Sequence, residues 1–509
     1  MQLRVTTVAL ALLGMLAVAT ALINLRAART GVETERITIG HIPATVYREA
    51  GAGRVPAVVI AHGFAGSETL MYSFAYTLAR NGLIAITFDY AGHGRNPEPL
   101  TGNITKVEGA TRTLVQETEE VLAYARSLGD GRVALLGHSM ASDIVVRTAA
   151  RNPDVAATVA VSMFSPAVTR EVPRNLLIIV GDWEGMLKQE ALRATRLVSV
   201  PEEPEPGVTY GNFAEGTARR AFFSSYTEHV GVLYRPESLV EAQRWLDHAF
   251  GITRSGTIEV SERGRWIALL FLGLALLVKP LTLLLPVVNA TPVGAGLGWE
   301  QLWVPLLVPA VATPLILRPL PTEFLPVLVG DYLACHFALY GILTMACLWW
   351  LDRGLPDRSD IMGAGTKLAI ATLLLLAIYA VIVVWPINAE FTNFMPTAAR
   401  APVIVAMATG TLLYFTADEW LIRGQGHARG AMVASKAAFI LSLAIAVALD
   451  FERLFFLIII VPVIILFFVF FGVVSGWVYA RTRNPLVAGL ANAVAIAWAI
   501  GVVFPLVAA

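Results

Sequence analysis

From about residue 264 to residue 509 the chain is a succession of apolar runs with few charges inside them. This feature constrains the fold most. Backbone in hydrocarbon has no water to bond to, so it must satisfy its own N–H and C=O groups, as a helix does. About 20 apolar residues suffice for one crossing. Candidate spans fall near 266–288, 302–317, 325–350, 367–386, 400–417, 431–449, 454–479 and 485–507. The 302–317 run is the shortest and holds Pro305, Pro309 and Pro314. Helix breakers are tolerated where neighbouring helices satisfy the freed carbonyls.

Residues 5–23 form another apolar stretch, after Arg4. Its core of about 20 residues is longer than a usual signal-peptide core and favours an uncleaved anchor. The small residues Ala17-Val18-Ala19-Thr20-Ala21 leave a cleaved signal peptide as the alternative. The expected organisation is therefore an anchor over 1–29, a soluble α/β domain over 30–262, and a polytopic all-α membrane domain of about eight helices over 263–509. Only 15% of residues are charged, against about 25% in globular domains. The deficit lies in the apolar segments. The formal net charge is zero and no Lys/Arg tract suggests a nucleic-acid partner. Cys335 and Cys347 share one apolar segment, which leaves the soluble domain without disulfide or thiol chemistry.

Lys/Arg placement sets the expected orientation. Opposite the soluble domain lie nine: Arg4, Arg353, Arg358, Lys367, Arg423, Arg429, Lys436, Arg481 and Arg483. On its own side lie seven: Arg318, Arg400, Arg453, Arg26, Arg29, Arg263 and Arg265. The majority puts the amino terminus in the cytoplasm and the soluble domain outside. Losing the 302–317 span would reverse the later loops.

Within 30–262, strand and helix patterns alternate. Arg36–Ile39 and Thr45–Tyr47 read as an exposed antiparallel pair, and Ala57–Ile60, Leu83–Thr87, Val133–Leu136, Ala156–Val161 and Leu176–Val180 as buried parallel strands. Helical patterns near 69–81, 107–128, 184–196 and 237–250 separate them. This is the pattern of a doubly wound, mostly parallel sheet. No large cap fits between strands. The Pro-bearing stretch 197–220 is the expected lid or rim loop.

Gly137-His138-Ser139-Met140-Ala141 lies between the Val133–Leu136 strand and a helical stretch. Strand, tight small-residue turn and helix make a nucleophile elbow around Ser139, with Ala141 where a second glycine is usual. Acyl transfer needs N–H groups held ready for an oxyanion. Phe64, in the loop His62-Gly63-Phe64-Ala65-Gly66-Ser67, and Met140 are the expected donors. His229, on a loop before the last helix, is the expected base. Asp182 and Glu184, at the exit of the Leu176–Val180 strand, both qualify as the acid that orients it, and Glu184 holds the favoured third place after Gly181. Phe64, Trp183, Met163 and Phe164 are candidate acyl-pocket residues. His62 and His93 look structural, His41 and His248 peripheral, and the His138 side chain should point away from the nucleophile.

The order Ser139, acid, His229, together with His62-Gly63-Phe64, Phe88-Asp89-Tyr90-Ala91-Gly92-His93-Gly94 and Gly181-Asp182-Trp183-Glu184, resembles the α/β-hydrolase superfamily over residues 35–252. The resemblance implies a serine hydrolase with a Ser-His-acid triad, usually acting on esters, sometimes on peptides, amides or thioesters. It implies no cofactor and no metal. The expectation is a membrane-anchored serine esterase on a small-molecule or lipid-like ester, with the bilayer as partner. An acyltransferase, in which an alcohol replaces water, has the same signature.

In the apolar half, Lys279, Asp331 and His336 lie inside spans, where charge is costly and a functional role is the default reading. Snorkelling of Lys279 and a capping role for Asp331 are the plainer accounts. Asp418-Glu419-Trp420-Leu421-Ile422-Arg423 resembles the Glu-Glu-x-x-x-Arg motif of the CAAX-protease/bacteriocin-processing family, and Phe470-Phe471-Gly472 with Gly476–Thr482 resembles its last motif region. Asn492, followed by Ala493, stands where that family has a histidine, and no histidine follows His427. The likeness, over roughly 400–507, implies a degenerate, non-catalytic relative. The alternative is a surface Glu419–Arg423 pair at i,i+4 spacing. A transporter with an accessory hydrolase-like domain, its path lined by Lys279, Asp331, His336 and Asp418, is the reading from another class.

Overall fold

A computed structural model describes residues 2–102, 107–354 and 358–508. The side chains of Arg4 and Arg358, counted above for orientation, lie outside what is described. Helix α1 (Gln2–Ala27) leads into a nine-stranded sheet. Its strands are β1 (Val32–Ile39), β2 (Ile42–Glu49), β3 (Ala57–Ala61), β4 (Ile84–Phe88), β5 (Val133–His138), β6 (Val155–Val161), β7 (Leu176–Gly181), β8 (Thr209–Tyr210) and β9 (Arg219–Ser224), in the order β1-β2-β4-β3-β5-β6-β7-β9-β8. The expected antiparallel pair is β1–β2, with Arg36 opposite Thr45. The run β4-β3-β5-β6-β7-β9 is parallel throughout.

Helices α2 (Tyr72–Arg80), α3 (Arg112–Leu128), α4 (Met140–Arg151), α5 (Gly185–Ser199) and α6 (Pro236–Phe250) cover both faces. Alternation along β5 divides the core. Ala134 and Leu136 pack with Phe74 of α2 and Trp245 of α6, while Val133 and Leu135 pack with Leu114 of α3 and Val145 of α4. Burial on both faces is why these strands read as continuous apolar runs. The 197–220 stretch departs from the expected lid. Part of it becomes β8, an edge strand four places from β5, because Thr209 and Tyr210 pair with Arg220 and Arg219.

The second half is helical: α7 (Arg263–Thr282), α8 (Trp299–Leu317), α9 (Gly330–Trp350), α10 (Arg358–Tyr379), α11 (Trp385–Glu390), α12 (Ala401–Leu421), α13 (Ala431–Leu449), α14 (Phe451–Leu454), α15 (Phe456–Thr482) and α16 (Pro485–Val503). Among the described residues nine helices are long and apolar enough to cross a membrane, α1 and all eight expected runs included. The run 364–390 crosses from α10 to α11 through a wider turn at Ala380–Val384.

Helix ends fall in two layers. At one end, the 283–296 loop bonds to Trp420, Arg423, Thr482 and Arg483. At the other, the helices meet the sheet domain. Arg400, fully buried at the start of α12, donates to Gly501 O (3.0 Å), Phe504 O (2.8 Å) and Gly92 O (2.8 Å). The last residues join the same seam: Leu506 N donates to Gly92 O (2.9 Å) and Leu100 N to Leu506 O (2.8 Å). Glu390, at the end of α11, accepts from Arg29 (2.8 Å) and from the fully buried Arg263 (2.5 Å).

Removing one partner of a buried ion pair costs about 3–5 kcal/mol, because the other charge stays desolvated. Glu390→Ala is expected to lower the thermal unfolding midpoint of the detergent-solubilised chain markedly, read by tryptophan fluorescence. Arg263→Met combined with Glu390→Leu should recover most of that loss. An unchanged midpoint in Glu390→Ala would refute the assignment.

Candidate active site

The carboxyl ends of the parallel strands form one edge, and Ser139, His229 and Glu184 meet there. Ser139 sits between β5 and α4 at φ 54°, ψ −118°, a left-sided conformation that L-residues avoid. Tight packing holds it. A Cβ on Gly137 would lie 2.5 Å from Ala141 O, and one on Gly63 would lie 2.9 Å from Ser139 Cβ. The Gly63 contact places the loop after β3 directly against the serine. Met140, just past Ser139, is the first residue of α4, where N–H groups have no partner one turn back.

Ser139 Oγ is 2.8 Å from His229 Nε2, and His229 Nδ1 is 2.5 Å from Glu184 Oε1. Of the two carboxylates left open by the sequence, Glu184 meets the imidazole. Asp182 does not; it turns outward to Lys188 Nζ at 3.0 Å. The second Glu184 oxygen accepts from Gly181 N and Ser162 Oγ, both at 2.7 Å. Burial alone would raise the Glu184 pKa. The hydrogen bonds from His229, Ser162 and Gly181, with the His229 charge, outweigh it and leave the carboxyl below its ordinary value.

Two contributors escape the sequence reading. Ser162, itself at φ 53°, has no motif around it. His138 does not point away: its Nε2–H donates to the backbone carbonyl of His229 at 2.8 Å, which fixes the ring tautomer and anchors the His229 loop. Its parity with Ala134 and Leu136 on β5 already sends it to that face. His62 and His93 are buried behind the Phe64 loop: His62 Nε2 accepts from Tyr90 N (3.2 Å), and His93 Nδ1 donates to Ala91 O (2.9 Å).

Among the acyl-pocket candidates, Met163 is a correction. It is fully buried in the core with Val146, Ala160 and Ile178, because the turn at Ser162 directs it inward. Phe164 and Trp183 are exposed. The Phe64 ring stacks on Phe456 of α15, centroids 4.9 Å apart and planes at 25°. The same loop is held from the helical half at a second point: Ser67 Oγ lies 3.0 Å from Thr392 Oγ1 and accepts from Asn393 N at 2.7 Å.

A hydroxyl, an imidazole and a carboxylate in line at these distances can pass a proton from oxygen to nitrogen and stabilise the resulting cation. Comparison with known proteins agrees with the fold. The profile of the alpha/beta hydrolase fold matches residues 56–250. Those residues are an alpha/beta hydrolase domain. The 2-(acetamidomethylene)succinate hydrolase of Mesorhizobium japonicum is 27% identical over 174 residues, 33% of this chain and 58% of that protein. The sn-1-specific diacylglycerol lipase ABHD11 of Danio rerio is 30% identical over 121 residues, 23% of this chain and 35% of that protein. Among solved structures, a predicted CIB-like hydrolase from Thermoplasma acidophilum covers 43% of this chain and 98% of its own, at 15% identity and a TM-score of 0.34.

Asp331, His336, Asp418 and Glu419 of the helical half are locally engaged. Asp331 accepts from Phe324 N and Tyr332 N, both at 2.8 Å, and His336 Nε2 lies 3.1 Å from Ser442 Oγ. Asp418 pairs with Lys436 and Ser435, and Glu419 with Arg423 at 3.3 Å. Asn492 accepts from Tyr379 (2.7 Å) and donates to Ser475 (2.9 Å).

Three buried imidazoles make the α/β domain acid-sensitive. Burial, and after it the neighbouring His62 or His229 ring, drives His93 and His138 down to about 3; burial also lowers His62, against the opposing charge of Asp89. Unfolded histidine titrates near 6.5. Between about 6.5 and about 3 the unfolded chain therefore binds more protons, and stability falls as the pH drops through that window. In His93→Phe the slope of unfolding free energy against pH should be shallower by about one proton near pH 5. Denaturation midpoints across pH 4–7 measure it, and equal slopes would contradict the burial argument.

Proposed function

We propose that this chain is a serine hydrolase acting on a carboxylic ester through Ser139, His229 and Glu184. The observation that carries the reading is the unbroken contact from Ser139 Oγ to His229 (2.8 Å) and from His229 to Glu184 (2.5 Å). Ser139 Oγ attacks the ester carbonyl while His229 Nε2 takes its proton. The Glu184 carboxylate holds the Nδ1–H and stabilises the imidazolium. The oxyanion is received by the N–H groups of Phe64 and Met140. As the C–O bond breaks, His229 returns the proton to the departing alcohol and leaves an acyl group on Ser139. His229 then deprotonates water, whose oxygen attacks that acyl group; the proton returns to Ser139 and a carboxylic acid leaves.

A fluorophosphonate probe should label the wild-type chain, and Ser139→Ala should abolish labelling. Without its hydroxyl no adduct can form, so labelling retained in that variant sinks the reading. His229→Ala and Glu184→Ala should lower kcat on a nitrophenyl ester by about 10³–10⁴-fold. Asp182→Ala should stay near wild type.

The same reading makes 1–29 an anchor, 30–262 the hydrolase domain and 263–509 a membrane domain of eight spans. Its paired Asp418, Glu419 and Asn492 suit a non-catalytic relative of the CAAX-protease family. The Lys/Arg majority supports a hydrolase domain outside the cytoplasm. Glu203→Cys, in a chain with Cys335→Ala and Cys347→Ala, is then expected to react with an impermeant maleimide on intact cells. Reaction only after lysis would reverse the orientation.

A further inference from the structure

The sheet's carboxyl edge has two halves. The loops after β4 and β3 are docked on the helix ends through Gly92, Phe64 and Ser67. Next to them stands β5 with Ser139, and beyond it the loops after β6, β7 and β9 overhang. These loops and the first turn of α5 carry four apolar side chains that no described residue covers: Phe164 (66% exposed), Trp183 (67%), Tyr226 (78%) and Met186 (83%). Exposed apolar patches of this kind mark interaction surfaces.

The four form one rim. Glu184 ties Ser162, two residues before Phe164, to the loop of Trp183, and Trp183 N donates to Thr227 O, next to Tyr226, at 3.1 Å. With strands about 4.8 Å apart, β9 stands about 14 Å to one side of β5. The rim thus extends sideways from the nucleophile, on the side away from the docked helices.

Its height is set by the docked half. Phe456, which stacks on Phe64, lies five residues from Phe451, and Phe451 is 60% exposed on the outside of the helical half. Phe324, in the loop between α8 and α9 at the same end, is 61% exposed. Trp385, five residues before Glu390 at the same end, is 48% exposed, and tryptophan at the ends of spanning helices sits at headgroup level. The loop against Ser139 is therefore level with the bilayer surface. The orientation is rigid, since Arg400 on Gly92, Thr392 on Ser67 and Phe456 on Phe64 hold the edge at three separate points.

We infer that the rim of Phe164, Trp183, Met186 and Tyr226 lies in the outermost layer of the surrounding bilayer, and that the substrate is an ester of a bilayer lipid drawn up beside it to Ser139. This rests on the Ser139 reading above. The rim anchors the overhanging half, and the acyl chain passes from lipid to protein along continuous apolar surface without crossing water.

The test uses the full chain in phosphatidylcholine–phosphatidylglycerol proteoliposomes with two substrates, soluble nitrophenyl butyrate and a quenched-fluorophore diacylglycerol in the bilayer. Met186→Gln with Tyr226→Asn removes half of the rim without touching Ser139, His229 or Glu184; asparagine tolerates the positive φ of Tyr226. The double variant should lose about tenfold or more on the bilayer ester and keep its rate on nitrophenyl butyrate. Equal rates on the bilayer ester, or a parallel fall on both substrates, overturn the inference. So does a wild type that cleaves nitrophenyl butyrate but not the diacylglycerol, with the serine-hydrolase reading intact. A wild type inert on both removes that reading and this one together. A nitroxide at Met186→Cys, in the chain lacking Cys335 and Cys347, should meet oxygen more readily than a water-soluble nickel chelate. The reverse preference places the rim in water and overturns the inference.

Discussion

One carboxylate organises the site. Glu184 joins three loops that the sheet alone leaves independent: Ser162 after β6, Gly181 at the end of β7, and His229 after β9. A largely buried carboxylate is expensive to desolvate, and such a group survives only with its lone pairs occupied. Here both oxygens are occupied, so the charge that the proposed chemistry requires is the charge the fold already stabilises. Shortening the side chain by one methylene would break either the loop ties or the contact with His229. The tie from His138 to the carbonyl of His229 then fixes the remaining freedom of that loop.

A second constraint comes from the helical half. The loop proposed to supply one oxyanion donor is held at Ser67 by Thr392 and Asn393 and at Phe64 by Phe456. Oxyanion stabilisation depends on donors already in position, so that no reorganisation is left for the reaction step. The matched profile covers residues 56–250 only, yet the contacts that position this loop come from residues 392, 393 and 456. The hydrolase domain and the helices form one mechanical unit.

Much of this was legible in the sequence. Buried parallel strands need apolar residues on both faces, so β3, β5 and β7 announce themselves as runs. A backbone meant for hydrocarbon must be helical, so all eight expected runs emerged as helices long and apolar enough to cross a membrane, even the one containing Pro305, Pro309 and Pro314. The serine was legible because its conformation demands small neighbours at fixed offsets. Three things were not legible. Asp182 and Glu184 sit two positions apart in a turn, where strand alternation no longer dictates direction; the place after Gly181 leaned to Glu184, and the path of the His229 loop decides between them. A two-residue edge strand such as β8 carries too little pattern to distinguish it from a loop. Ser67 and Thr392 lie 325 positions apart, and neither has a local signature.

On the proposed membrane reading, what eight further spans add to a single anchor is the difference between tethering and orienting. A single helix such as α1 raises local concentration at the bilayer but leaves the domain free to tumble. Most encounters with a lipid would then present the wrong edge of the sheet. Fixing the reacting groups relative to one another removes an entropic cost that is otherwise met at each turnover. The buried Arg400 binds Gly92 of the sheet domain to the helix ends, Arg263 reaches from its Glu390 pair over the Tyr72 and Tyr76 rings of α2, and in the proposed membrane reading the helices are in turn fixed relative to the bilayer. Burying two guanidinium groups is poor value for stability alone, since apolar pairs of similar volume do as well or better. Their virtue is direction: a guanidinium held by carbonyls from two halves of the chain permits one docking geometry, where an apolar contact permits a family of sliding ones.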